Sequence, residues 1–386
     1  MSLGPAHPDL LEQIRAAVAA VPDPEIGLAL GDLGMVRDVA LDGGAVKVRL
    51  ALTVPGCPMK DRIGRDIASA LTGLDGVDRV EVDFQAMDAD ERDAIAGGLR
   101  GPGDGEQFFA DGRTTVIAIA SGKGGVGKST VTVNLACALA AAGKRVGVID
   151  ADVWGFSVPR MLGLTGPPTG FGGMLFPLQA HGVKAVSVGL FADESTPIVW
   201  RGPMLHTAVR QFLADVHWGE LDVLLCDLPP GTGDVPISLA AMLPTARVVV
   251  VTTPQESART VAERAGRMAA NACLRVCGVI ENMGSFACPC CGEETPIFGD
   301  GGGDALARSL GVPLIARIPV ALALREAGDR GEPLVVADPG APASVAIARA
   351  ARRLLVLARP SRRGALTGFE SEPRAAHAGA HAQGRS

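Results

Sequence analysis

Apolar residues recur at helical spacing near the start of the chain, where Leu10, Leu11, Ile14, Ala17 and Val18 share one face. Asp23-Pro24-Glu25 ends that helix, since proline lacks a backbone N–H and biases the residue before it towards extended backbone. Two strand-like runs come next, Met35 to Leu41 and Ala45 to Thr53, and Asp42-Gly43-Gly44 between them predicts a hairpin. A helix over Met59 to Leu71 and a strand over Val77 to Phe84 complete a small α/β unit, residues 1–88. Residues 89–112 are charged, then glycine-rich around Gly101-Pro102-Gly103-Asp104-Gly105, and read as a linker.

From Thr114 the pattern becomes short apolar runs alternating with helical segments. Thr114–Ala120, Arg145–Asp150, Val223–Asp227, Arg247–Thr252, Arg275–Asn282 and Pro313–Pro319 are the expected strands. Several are apolar on both faces, as in a parallel sheet covered on both sides. Helices are expected at Lys128–Ala142, Pro203–Asp215, Pro236–Met242, Ala258–Ala270 and Ala343–Leu357. The fold class is therefore α/β: a mainly parallel sheet with helices on both faces over residues 113–358, preceded by the small α/β unit. Residues 359–386 lack periodicity and read as a disordered tail.

Composition narrows the partners. The chain has 386 residues, a net charge of −6 and only 14 aromatic residues (3 Trp, 11 Phe, no Tyr), so it offers neither a basic footprint nor stacking platforms for nucleic acid. No apolar run approaches a membrane span, and Asp9, Glu12 and Arg15 interrupt the stretch where a signal peptide would be apolar. A cytoplasmic location is expected, where the eight cysteines stay reduced and close pairs read as metal ligands or redox groups.

Ser121-Gly122-Lys123-Gly124-Gly125-Val126-Gly127-Lys128-Ser129-Thr130 lies between an expected strand and helix and satisfies G-x-x-x-x-G-K-[ST]. The glycines let backbone N–H groups converge on phosphate oxygens at a helix N-terminus, Lys128 reaches the outer phosphates, and Ser129 ligates Mg²⁺. Asp227 ends a buried strand, where a carboxylate can hold the Mg²⁺ shell, and Gly231 comes soon after in Pro229-Pro230-Gly231-Thr232-Gly233-Asp234, placed to donate its N–H to a γ-phosphate. Asp150 and Asp152 end another strand, and Asp152 is the candidate for orienting the attacking water. These residues predict ATP binding and hydrolysis.

Lys123-Gly124-Gly125-Val126-Gly127-Lys128-Ser129 resembles the deviant Walker A motif of the MinD/ParA and nitrogenase-iron-protein superfamily. There the extra lysine, matching Lys123, reaches the partner's phosphates across a nucleotide-sandwich dimer, so the resemblance implies a homodimer and a catalytic role for Lys123 beside Lys128 and Asp152. Within that superfamily the chain is similar to Mrp/ApbC-type iron–sulfur carrier ATPases, through Trp200-Arg201-Gly202-Pro203-Met204, Asp227-Leu228-Pro229-Pro230-Gly231, Thr253-Pro254-Gln255, Glu281-Asn282-Met283 and Arg325-Glu326-Ala327-Gly328-Asp329. The resemblance implies that Asn282 contacts adenine. The first unit resembles the small domain of iron–sulfur assembly proteins, through Asp23-Pro24-Glu25, Asp32-Leu33-Gly34, Leu52-Thr53 and Cys57-Pro58. Gly155-Phe156-Ser157 departs from the family's Gly-Pro-Ser.

Cys288-Pro289-Cys290-Cys291 contains a C-x-x-C spacing that lets the Cys288 and Cys291 sulfurs face one metal. One pair supplies two thiolates where a usual cluster or closed zinc site takes four, so two chains contributing one pair each satisfy the count. A bridging 4Fe–4S cluster is what the family resemblance implies; the spacing alone leaves a structural zinc clasp open, and Cys290 is a third possible ligand. Cys137, Cys226, Cys273 and Cys277 read as buried apolar thiols, and Cys57 as a loop cysteine. The leading expectation is an ATP-hydrolysing carrier that passes a labile cluster to apo-proteins, with assembly factors and apo iron–sulfur proteins as partners. The alternatives are a positioning switch, a zinc-clasped dimeric ATPase and an ATP-coupled electron donor.

Overall fold

The computed structural model describes residues 8–24, 26–53, 59–99, 109, 113–152, 155–191, 202–231, 234–288, 290–291 and 293–358. Cys57, Trp200, Arg201 and the expected tail lie outside them, so nothing structural is added to those readings.

The first unit contains α1 (Pro8–Ala20), β1 (Val36–Asp42), β2 (Ala45–Leu52), α2 (Lys60–Leu71), β3 (Arg79–Ala86) and α3 (Ala89–Leu99). β1 and β2 are antiparallel, pairing Asp42 with Ala45 across the expected glycine turn, and β3 runs parallel to β2. Ile14 and Val18 of α1, and Ile63, Ile67 and Leu71 of α2, bury against Val46, Val48 and Leu50 of the sheet. Met174 and Phe176, from the larger unit, complete this core.

The presence of α3 corrects the linker expected over 89–112. The Asp88 carboxylate accepts the Glu91 N–H at 2.8 Å, while the Glu91 carboxylate accepts the Asp88 N–H at 3.0 Å. This reciprocal capping box starts a helix that buries Ala96. Acidic residues that looked like linker composition are thus a helix N-terminus.

The larger unit runs β4 (Thr115–Ser121), α4 (Lys128–Ala141), β5 (Val146–Asp150), α5 (Val158–Met161), β6 (Gly170–Phe171), β7 (Met174–Leu175), β8 (Leu178–Ala180), β9 (Val183–Ser187), α6 (Gly202–Ala214), β10 (Val223–Asp227), α7 (Asp234–Met242), β11 (Arg247–Thr252) and α8 (Glu256–Asn271). It continues with β12 (Arg275–Ala287), β13 (Glu294–Thr295), α9 (Gly302–Leu310), β14 (Leu314–Val320), α10 (Leu322–Arg330), α11 (Leu334–Ala337) and α12 (Pro342–Leu357). Nine strands form one sheet in the order β13-β12-β11-β4-β10-β5-β9-β8, with β14 on β12. Among the described strands of this sheet, only the short β8 and β13 are antiparallel to their neighbours.

Alternate residues of each central strand enter different cores. Ile117, Ile119, Val148, Leu225 and Val249 pack towards α4, α11 and α12, while Val116, Ala118, Ile149, Leu224 and Val250 pack towards α6, α8 and α9. Burial on both faces is what a parallel sheet between helical layers requires. It also sets the carboxyl ends of β4, β5 and β10 side by side, where a ligand crevice forms. No helix among the described residues is long and apolar enough to cross a membrane.

Candidate functional site

The loop from Ser121 to Lys128 leaves β4 and enters α4. Gly127 is left-handed (φ 80°) immediately before the helix, and a Cβ there would overlap the Asn282 amide, so the close approach requires glycine. Gly122 is equally constrained, since its α-carbon faces the backbone of Val261 and Ala262 in α8. Gly124 and Gly125 are exposed, Val126 is buried, and Thr130 lies near the Met161 sulfur at 3.9 Å. The loop is thereby anchored on two sides while its exposed turn can meet a ligand.

Asp227, fully buried at the end of β10, organises the start of α4. Its Oδ2 accepts from the Lys128 ammonium at 2.6 Å and the Ser129 hydroxyl at 2.5 Å, and its Oδ1 from the Thr132 hydroxyl at 2.7 Å. The Lys128 ammonium is also 3.5 Å from Asp152, so the expected phosphate lysine, Mg²⁺ ligands and water-orienting carboxylate converge. Thr132 was missed by sequence reasoning; its position four residues after Lys128, on the same helix face, was the available signal.

Asp150 carries more of the site than its strand-end position suggested. It accepts backbone N–H groups from Asp152 (3.1 Å), Ser157 (3.2 Å) and Val158 (3.3 Å), and the Ser187 hydroxyl (3.1 Å). Burial, reinforced by the charge of Asp227, pushes its carboxyl up to about 7, against the opposing pull of Lys128 and these donors. Asp152 in turn accepts the Gly155 N–H at 3.2 Å. The departure at Phe156 is accommodated locally: its ring occupies the space beside Gly189 that a side chain there would fill.

Two of the groups expected to meet nucleotide have partners within the chain. The Gly231 N–H, the candidate donor to a γ-phosphate, donates to the Ser121 carbonyl at 2.9 Å, tying the loop after β10 to the end of β4. Asn282, buried at the end of the expected strand, donates its amide to the Val126 carbonyl at 2.9 Å and so braces the phosphate loop. Lys123, by contrast, is half-buried and has no ion-pair partner among the described residues.

β12 continues five residues beyond Asn282 and carries the cysteines on a hairpin. Phe286 and Ala287 pair with Thr295 and Glu294 of β13, and the Cys288 N–H donates to the Glu293 carbonyl at 2.9 Å. The Cys288 thiol accepts from the backbone N–H groups of Cys291 and Cys290, which hold its pKa below the ordinary thiol value. Cys290 and Cys291 are exposed. Among the described residues no group of three or more His, Cys, Asp or Glu side chains is set to hold a metal ion. Cys137, Cys226 and Cys277 are buried as expected; Cys273 is exposed, because it ends α8 in a left-handed turn (φ 64°) that carries it out of the core.

The NUBPL iron-transfer P-loop NTPase family matches residues 113–355, and the iron–sulfur cluster assembly protein family matches residues 11–84. The chain is 48% identical over 341 residues to the iron–sulfur cluster carrier protein of Mycobacterium tuberculosis, covering 86% of this chain and 89% of that one. It is 42% identical over 313 residues to the Bacillus subtilis protein of the same name, covering 80% and 88%. Among solved structures, a nucleotide-binding protein from Archaeoglobus fulgidus in complex with ADP aligns with a TM-score of 0.51 at 40% identity, over 58% of this chain and 90% of that one. The family match runs through the phosphate loop, Asp152, Asp227 and the cysteine hairpin alike: this chain belongs to the NUBPL iron-transfer P-loop NTPase family.

Proposed function

We propose that this chain is an ATP-hydrolysing iron–sulfur cluster carrier that holds a labile 4Fe–4S cluster between two copies and delivers it to apo-proteins. The observation that carries the reading is β12 itself: one strand bears Asn282 on the phosphate loop and, six residues on, the Cys288 hairpin. The names of the Mycobacterium tuberculosis and Bacillus subtilis relatives support the same cargo.

In this reading Lys128 leaves its contact with Asp227 for the β- and γ-phosphates, Ser129 and Asp227 hold Mg²⁺, and Asp152 orients the attacking water. The backbone of Gly122, Gly124, Gly125, Val126 and Gly127 cradles the phosphates at the α4 N-terminus, beside Thr130. The γ-phosphate takes the Gly231 N–H from the Ser121 carbonyl, and Asn282 contacts the adenine. Lys123, without a partner ion in its own chain among the described residues, neutralises charge developing in the second copy's site. Cys288 and Cys291 from each copy complete four thiolates, and the cluster is the cargo. Apo iron–sulfur proteins and assembly factors are the partners of a cytoplasmic homodimer that binds neither nucleic acid nor membrane.

The test is anaerobic reconstitution of the wild type and a Cys288→Ala/Cys291→Ala variant, with iron, sulfide and zinc quantified. Transfer is then read by activation of an apo 4Fe–4S enzyme. The wild type should bind about four iron and four sulfide per dimer and the variant almost none. Equal loading of both proteins, or stoichiometric zinc in place of iron, overturns the reading.

A further inference from the structure

Between Asn282 and Cys288, β12 is neither straight nor in register. Asn282 pairs with Ile318 of β14 and Phe286 pairs with Val320, so four steps along β12 meet two along β14. Such a bulge bends its strand and re-aims the residues beyond it. Met283, inside it, is left-handed (φ 59°), a conformation that side chains with a Cβ rarely adopt without a structural reason. Its Cε lies 3.8 Å from the position a Cβ would take on Gly127, so the side chain rests against the phosphate loop that Asn282 also holds.

We propose that Met283 is a positioning residue that transmits the state of the phosphate loop to the Cys288–Cys291 hairpin. Upstream, the β12–β14 ladder from Val279 to Asn282 and the buried Glu281 fix the strand. The Glu281 carboxylate accepts the Gly303 N–H at 2.5 Å and pairs with Arg317 at 3.1 Å. Downstream, the ladder is short: Phe286 and Ala287 pair, the Ser285 hydroxyl donates to the Glu294 carboxylate at 3.0 Å, and the Cys288 N–H to the Glu293 carbonyl at 2.9 Å. A shift of the Val126–Gly127 backbone on phosphate binding therefore reaches the strand at Asn282 and Met283. The bulge lets the hairpin re-orient while the ladder behind it stays paired. The proposal rests on the hairpin being the cargo site, and it makes nucleotide state the control on how accessible that site is.

The test uses cluster-free, reduced full-length chain, so it is read independently of iron loading. Alkylation of Cys288 and Cys291 by iodoacetamide is followed by peptide mass spectrometry, without nucleotide, with Mg-ADP and with a non-hydrolysable ATP analogue. In the wild type, nucleotide should change the alkylation rate by about threefold or more, the differential that a coupled two-state element produces. Met283→Gly frees the backbone and removes the side chain from the loop; it should bring that change below about 1.5-fold while a fluorescent nucleotide binds within about twofold of wild type. Met283→Asn, which tolerates the left-handed backbone but lacks the reach to Gly127, should show the same loss and serves if the glycine variant does not fold. An alkylation rate indifferent to nucleotide in the wild type, or a full response in either folded variant, overturns the proposal. An intact response in a protein that takes up no iron would instead sink the carrier reading and leave the coupling standing.

Discussion

The Lys128 ammonium lies 2.6 Å from Oδ2 of Asp227, a carboxylate with no solvent exposure that also receives two hydroxyl hydrogen bonds. Both charges are stable in the interior only because they are paired and hydrogen-bonded. Lys128→Ala strands Asp227 beside a second buried carboxylate, Asp150. The variant should lose about 3–5 kcal/mol in urea unfolding, as expected when one member of a buried pair is removed. ATP hydrolysis should fall with it by at least about 100-fold. A variant that keeps wild-type stability shows that the pair is not holding α4 against β10.

Lys123 presents the opposite case: a lysine in the same loop with no ion-pair partner among the described residues. Removing it leaves no buried charge unpaired within the chain. Lys123→Ala should therefore keep its urea midpoint and bind nucleotide, yet lose hydrolysis by about 10²–10³-fold, the usual cost of deleting a group that meets charge in the transition state. Normal turnover by this variant removes the argument for catalysis across two chains.

The phosphate site was legible because its chemistry is concentrated in one uninterrupted motif flanked by apolar runs, and β10 and β11 appear with the bounds read from their apolar runs. Long-range partners were not legible. Nothing near Gly231 in sequence shows that its N–H faces the Ser121 carbonyl, and nothing beside Asn282 shows that it reaches Val126, 156 residues away. α9 and α10 were missed because they are short, and glycines that look like loop composition cap both ends of α9 and the end of α10. The strand expected over Arg275–Asn282 extends further, because it resumes beyond a bulge that only the β14 pairing reveals.

Burial divides the thiols by reactivity. Cys137 and Cys226 are pushed up to about 12 and Cys277 to about 11 by desolvation, whereas the Cys288 thiol is drawn below its ordinary value by two backbone donors. Because the thiolate is the attacking form, brief iodoacetamide treatment of the native apo-protein near neutral pH should label Cys288 first. The exposed Cys273, Cys290 and Cys291 should come next, and the three buried thiols should react only in denaturant. Labelling of Cys226 in the native protein contradicts the packing of β10 in the sheet.

Asp150 makes stability depend on pH with a definite sign. An unfolded aspartate releases its proton near 3.8, while the folded carboxyl holds it to about 7 because it is buried beside Asp227. Between those values the folded state binds more protons than the unfolded state, so this residue's contribution is fully present below 3.8 and is lost as pH rises through 7. Asp150→Asn keeps the size and one carbonyl acceptor but cannot ionise. Urea midpoints measured from pH 5 to pH 8 should fall more steeply in the wild type than in the asparagine variant, with the gap widening towards pH 8. The hydrogen bonds to Ser157 and Val158 mean that the same substitution also loosens the start of α5, so the variant's advantage at high pH should be smaller than the titration alone would give. Parallel pH profiles for the two proteins show that Asp150 does not hold a proton in the folded state that the unfolded state releases.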